Sequence, residues 1–193
     1  MKKLLSIVIL LSITFSGVFA LTESEQYKSA NYLAMKTFIK DFSKSPSEYR
    51  INDNITRKEA MKIIANIGFL KVENKCIGKF KDVEDDWGCK YIEAALTAGF
   101  ISQTDKFRPN DNITVAEVLK LIFKARNLDR KFNTGDWVKD YVNSAYELKL
   151  TDGDIEGNTD AKRGWIFVVI AKSFDYLNDK NFILFYSNEA DIK

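Results

Sequence analysis

The five residues NDNIT stand at positions 52–56 and again at 110–114, 58 residues further on, and each time a Glu follows the Thr by three positions. Beyond the first copy, apolar residues fall at Ala60, Ile63, Ile64 and Ile67; beyond the second they fall at Val118, Leu121, Ile122 and Ala125. Both sets follow the i, i+3, i+4, i+7 spacing of one helix face. The spacing of Thr56 with Glu59 and of Thr114 with Glu117 predicts capping boxes, in which the Thr hydroxyl accepts from the third helical N–H and the Glu reaches back to the Thr N–H. The repeated word is therefore a helix entrance, written twice.

A second register precedes the entrances. Trp87, Tyr91, Ile92 and Ala95 return 50 residues later as Trp137, Tyr141, Val142 and Ala145, again on one helical face. A third copy of the later helix fits at 161–174, where Trp165, Val168 and Val169 continue the pattern and Lys172 interrupts it. The first copy of the earlier helix is predicted at 23–42, with Tyr32, Met35, Phe38 and Ile39 on one side, and Tyr49-Arg50 stands where the second copy has Phe107-Arg108. The pattern predicts an all-α chain of three helix-loop-helix repeats. One such pair is too small to bury its own apolar face, so three must pack together.

Phe80-Lys-Asp-Val, Trp87, YIEAALTAGFI and FRPNDNIT, followed by a helix, resemble the S-layer homology repeat, whose landmarks are Phe-x-Asp-Val, Trp, Ala-Ile, Gly-Ile-Ile, Phe-x-Pro and Ile-Thr-Arg-Ala-Glu. The resemblance divides the chain into a leader at 1–20, a divergent repeat at 21–75, a clear repeat at 76–130 and a third at 131–193 with a C-terminal extension. It implies pseudo-threefold packing of the repeats and a non-catalytic surface anchor that binds cell-wall polysaccharide, often one bearing ketal-linked pyruvate, in grooves between repeats. Such a groove needs a cation for a carboxylate, polar groups for hydroxyls and an aromatic wall for the sugar face. Carried onto this chain, the ligand-binding residues are Thr56, Arg57, Asp82, Trp87, Trp137 and Lys162. The Thr-Arg pair is kept only at Thr56-Arg57; Val115 replaces the Arg in the second copy, and Lys162 is expected to hold the charge in the third. The same residues have structural roles to weigh: Trp87 and Trp137 as core, Asp82 as a cap, and Arg57 as a solvated charge, although a cation at a helix start opposes the dipole.

The ends and the composition narrow the setting. Residues 1–20, MKKLLSIVILLSITFSGVFA, have the basic start, apolar stretch and small-residue finish of a secretory signal peptide, so the mature chain is expected to be exported and not membrane-spanning. The 29 Lys and Arg, less Lys2 and Lys3, balance the 27 Asp and Glu, so there is no basic footprint for nucleic acid. Cys76 and Cys89 are the two cysteines. In an oxidising compartment the pair permits one bridge; the alternatives are free thiols or half of a metal site that carboxylates would have to complete.

The chain contains no His, which removes Ser-His and Cys-His dyads, and no Gly-rich phosphate loop occurs. A carboxylate glycosidase is the one enzyme form left to consider, and neither a cofactor nor a metal is expected. The stretch DGDIEGNTD at 152–160 is similar to a calcium loop, but Arg163 occupies the place of the bidentate Glu. A second reading takes the scaffold as a protein-interaction or surface-lattice module with an envelope protein as partner. The run at 182–186 is unassigned, as a groove cover or a closure against the first repeat.

Overall fold

A computed structural model describes residues 22–39, 46–153 and 155–174. The leader, the extension at 182–186 and Asp154 of the acidic loop lie outside the described residues. Within them the secondary structure is helical, with seven helices: α1 (Glu23–Met35), α2 (Pro46–Tyr49), α3 (Arg57–Ile67), α4 (Cys89–Thr97), α5 (Val115–Ala125), α6 (Trp137–Glu147) and α7 (Arg163–Ser173). The fold is all-α.

The helix starts follow the local chemistry. Thr56 and Thr114 are extended N-caps that accept from the N–H of Glu59 and Glu117, and each Glu reaches back, completing the two predicted boxes. Thr22 and Glu25 form a third box at α1. Helix α7 has none: Lys162 sits at its N-cap without a side-chain cap, and Trp165 occupies the N3 position where the other boxes have Glu.

The helix ends repeat as well. Thr37, Phe69, Gly99, Asn127 and Lys149 all have positive φ just past α1, α3, α4, α5 and α6. The next N–H then bonds back across the turn, as in Phe100 N to Ala95 O at 2.8 Å and Leu150 N to Ala145 O at 2.9 Å. That is the Schellman closure. It stops α1 at Met35, before the expected limit of 42, because Thr37 turns left-handed and Phe38 N bonds to Leu33 O at 2.9 Å.

The three loops that lead into α3, α5 and α7 bond to one another in a closed circuit. Ile55 N donates to Ala161 O at 3.1 Å, Ala161 N to Ile113 O at 2.9 Å, and Ile113 N to Ile55 O at 3.1 Å. Two residues on, Arg57 N donates to Asp111 O, Val115 N to Thr159 O and Arg163 N to Asp53 O, at 2.8 to 2.9 Å. Positions 55, 113 and 161 are therefore equivalents. The third copy of NDNIT is Asn158-Thr-Asp-Ala-Lys162, and Arg163, rather than Lys162, stands in the place of Arg57. On the same register Asn54, Asn112 and Asp160 come together, both amides donating to Asp160 Oδ2 at 2.9 and 2.7 Å.

The helices pack one step out of phase with the sequence. Helix α4 lies chiefly on α3, α6 on α5, and α1 on α7, while α5 touches both α3 and α7. The tightest pairs thus cross the expected boundaries between 75 and 76 and between 130 and 131, and the first helix closes onto the last. Helix α7 is buried from Ile166 to Ala171 with almost no polar face, which suits an element covered on several sides. Gly157 is required by this packing: a Cβ there would meet Val138 Cγ1 at 2.5 Å. Asp152, also of the acidic loop, pairs with Lys172 at 2.8 Å.

Candidate functional site

A cleft of about 320 Å³ opens between the first two entrances. Its walls come from α3 (Arg57, Met61), the turn after α4 (Phe100 to Ser102, and Thr104), the loop residue Phe107, α5 (Glu117, Lys120, Lys124) and the first residue of α6, Trp137. The sequence places these groups together through its two registers: the entrance register brings Arg57 of one copy over the next, and the Trp register sets Trp137 where α6 begins to cover α5.

Arg57 is held from three sides. Its Nε donates to Phe107 O at 3.0 Å, its Nη1 meets Glu117 Oε1 at 2.8 Å, and its guanidinium lies 4.8 Å from the Phe107 ring centre. Burial opposes ionisation of Glu117, but the Thr114 N–H and Arg57 outweigh it and hold the carboxyl below its ordinary value. Lys124 donates to Gly99 O and Phe100 O at 2.7 and 3.0 Å, over the C-terminal end of α4, where cations are favoured. Burial first, and the neighbouring Lys120 second, pull its ammonium down. The Lys120 ammonium stands 5.4 Å from the centre of the Trp137 ring.

Of the residues the sequence nominates, the cleft unites Arg57 and Trp137, and Thr56 caps the helix that carries Arg57. Asp82 is placed elsewhere: its two oxygens accept from Phe107 N and Arg108 N, both at 2.8 Å. Burial resists its ionisation, yet those two N–H groups keep its carboxyl below the ordinary value. Asp82 therefore clamps the loop that carries Phe107. Trp87 stands against α3, with Lys58 and Lys62 at 5.5 and 5.7 Å from its ring. Trp87 and Trp137 are 49% and 43% exposed, which rules out core residues. Lys162 is an exposed N-cap.

Arg163 is the cation that the sequence reading missed. Its Nε donates to Tyr49 O at 3.1 Å and its Nη1 lies 3.4 Å from Glu59 Oε1, the same contacts that Arg57 makes with Phe107 and Glu117. Burial pulls its guanidinium below the ordinary value and Glu59 offsets this. The available signal was Asn158-x-Asp160, which places Arg163 beneath Arg57 once aligned with Asn52-x-Asn54. At the remaining seam the equivalent residues are Val115 and Trp165, so the cation and its carboxylate are both replaced by apolar side chains.

Cys76 and Cys89 form a disulfide that ties the segment before Phe80 to the first residue of α4. Glu93, buried beside it, accepts from Ile77 N and Lys79 N at 2.8 Å. These three residues are the one thiol-and-carboxylate group among the described residues close enough to share a metal, but both sulfurs are used in the bridge. Among the described residues no helix is long and apolar enough to cross a membrane.

Fold and cleft together define a class: an all-α protein whose three entrance loops bond in a closed circuit, with a cleft between the first two entrances. Residues 79–119 match the S-layer homology domain. Similar proteins include the S-layer protein sap of Bacillus anthracis, 30% identical over 137 residues, which is 65% of this chain and 17% of that protein. The amylopullulanase of Thermoanaerobacterium thermosulfurigenes is 31% identical over 124 residues, 56% of this chain and 7% of that enzyme. An S-layer protein of Bacillus thuringiensis subsp. finitimus is 28% identical over 147 residues, 70% of this chain and 18% of the relative. The chain thus spans less than a fifth of these relatives.

Proposed function

We propose that this protein is a non-catalytic anchoring module of the cell surface that holds wall polysaccharide in seams between three pseudo-threefold-related copies. The observation that carries the reading is the cleft at Arg57, where cations, an exposed Trp face and apolar walls line one groove. A sugar ring can stack on Trp137 while an acidic substituent, such as a ketal-linked pyruvate, meets the cations. The matched domain supports anchoring, and relatives named as S-layer proteins place such a domain in surface proteins. The disulfide suits export, which the leader predicts.

Two seams, not three, have the charge for this role. Arg57 with Glu117 and Arg163 with Glu59 repeat one arrangement, and Lys62 with Trp87 stands in the register of Lys120 with Trp137. The Val115 and Trp165 seam is blank. Co-sedimentation of the mature chain with purified wall sacculi, before and after removal of the attached polysaccharide, tests the reading. Pelleting that needs the polysaccharide and weakens in Arg57→Ala, where Glu117 is left uncompensated, is the expected result. Pelleting indifferent to the polysaccharide would assign the scaffold to an envelope protein partner instead.

A further inference from the structure

In the cleft at Arg57, the cation nominated by sequence is already matched. Arg57 faces Glu117 at 2.8 Å and gives its Nε to Phe107 O, so a ligand acid would compete with a carboxylate in place. Among the described residues, Glu117 is the only acidic one lining the cleft, against three cations. Two positive charges therefore stand unmatched, on Lys120 and Lys124. Lys124 is fastened to the carbonyls of Gly99 and Phe100. The Lys120 ammonium has no carboxylate partner among the described residues and lies beside the Trp137 face.

The geometry points to Lys120 as the residue that reads the acidic group of the ligand, with Arg57 as a positioning residue that neutralises Glu117 and fixes the Phe107 loop. This deepens, and rests on, the reading of the cleft as a polysaccharide site. The ligand chemistry is an anionic substituent, carboxylate or phosphate, about one side-chain length from an apolar sugar face. The sugar stacks on Trp137 and its acid meets the ammonium already drawn to that ring. Like-charge crowding by Lys124 favours an anion between the two. The same register sets Lys62 beside Trp87 at the Arg163 seam.

The test measures binding of soluble wall polysaccharide by titration calorimetry, with the glycan intact, carboxyl-reduced or dephosphorylated by hydrogen fluoride. Lys120→Gln is expected to bind the intact glycan about tenfold more weakly, the loss of one charge-assisted contact, and Lys120→Arg to recover most of it. The double variant Arg57→Met with Glu117→Gln keeps the capping geometry but gives up the bond to Phe107 O; it is expected to bind more weakly overall yet still to distinguish intact glycan from glycan stripped of its acid, which Lys120→Gln does not. Whichever glycan treatment removes the acid should lower binding of the unaltered protein to the Lys120→Gln level and leave that variant indifferent. The two treatments thereby separate carboxylate from phosphate. Full affinity in Lys120→Gln, a double variant indifferent to removal of the acid, or no effect of either treatment would overturn the assignment while polysaccharide binding stands. No binding of any glycan by the unaltered protein would overturn both.

Discussion

Asp82 and Glu117 show how a carboxylate that looks like a ligand serves the scaffold. Each is held ionised by backbone N–H groups, Asp82 by those of Phe107 and Arg108, and Glu117 by that of Thr114 with Arg57 beside it. Asp82→Ala is expected to lower unfolding stability by about 2 kcal/mol in chemical denaturation, since two charge-assisted bonds lose their acceptor. Both carboxyls titrate below their ordinary values of 3.8 and 4.5. A depressed folded value means that the folded state binds fewer protons than the unfolded one at those pH values, so the contribution is complete above about pH 5 and declines as pH falls through the folded values. The stability gap between the unaltered protein and Asp82→Ala should therefore be constant near neutrality and shrink below pH 4. Asp82 could be nominated from sequence, but its role could not, because its bonding partners lie 25 and 26 residues away on a loop whose path is set by packing.

At the scale of elements, the helix starts were legible because a capping box is local chemistry, and the ends less so because three of the five left-handed residues, Thr37, Phe69 and Lys149, are not of the type that announces such a turn. The third entrance was hidden by the loss of its own cap. With Lys162 for Thr and Trp165 for Glu, the local capping signal is gone, and the cation equivalent to Arg57 is Arg163, one residue after Lys162. Lys162 already has the extended backbone of an N-cap, so Lys162→Thr is expected to raise stability by about 1 kcal/mol and the melting temperature by a few degrees. On the proposed function, Lys162→Thr should leave polysaccharide binding unchanged, whereas substitution of Arg163 should weaken it. The disulfide acts on α4 in the same local way. The separation of 13 residues closes a short loop, and reduction or a double Ser variant is expected to cost about 3 kcal/mol, read as a lower denaturant midpoint with little change in slope.

The whole molecule depends on a closure that no local pattern records. Periodicity identifies apolar faces, but it does not say which helix each face meets. Sequence order suggests that α1 pairs with α3, yet α1 covers α7, which starts 140 residues after it, and its Ala30, Leu33 and Ala34 are buried with Ile166, Phe167, Val169, Ile170 and Ala171 in one core. Lys120 was illegible for a related reason: a mid-helix Lys gains meaning only when the opposing walls prove to contain no second acid. The closure carries its own prediction. Because α7 has almost no polar face to turn outward, removing residues 22–39 should uncover an apolar surface along it. Such a truncated chain is expected to lose the single sharp thermal transition of the full protein and to bind a hydrophobic dye while keeping much of its helical circular dichroism. Helices α3 to α6 keep their partners in this variant, so a residual transition confined to them would show the units to be separable. Retention of the full transition without α1 would mean that the circuit of entrance loops, rather than the packing of the first helix on the last, holds the molecule together.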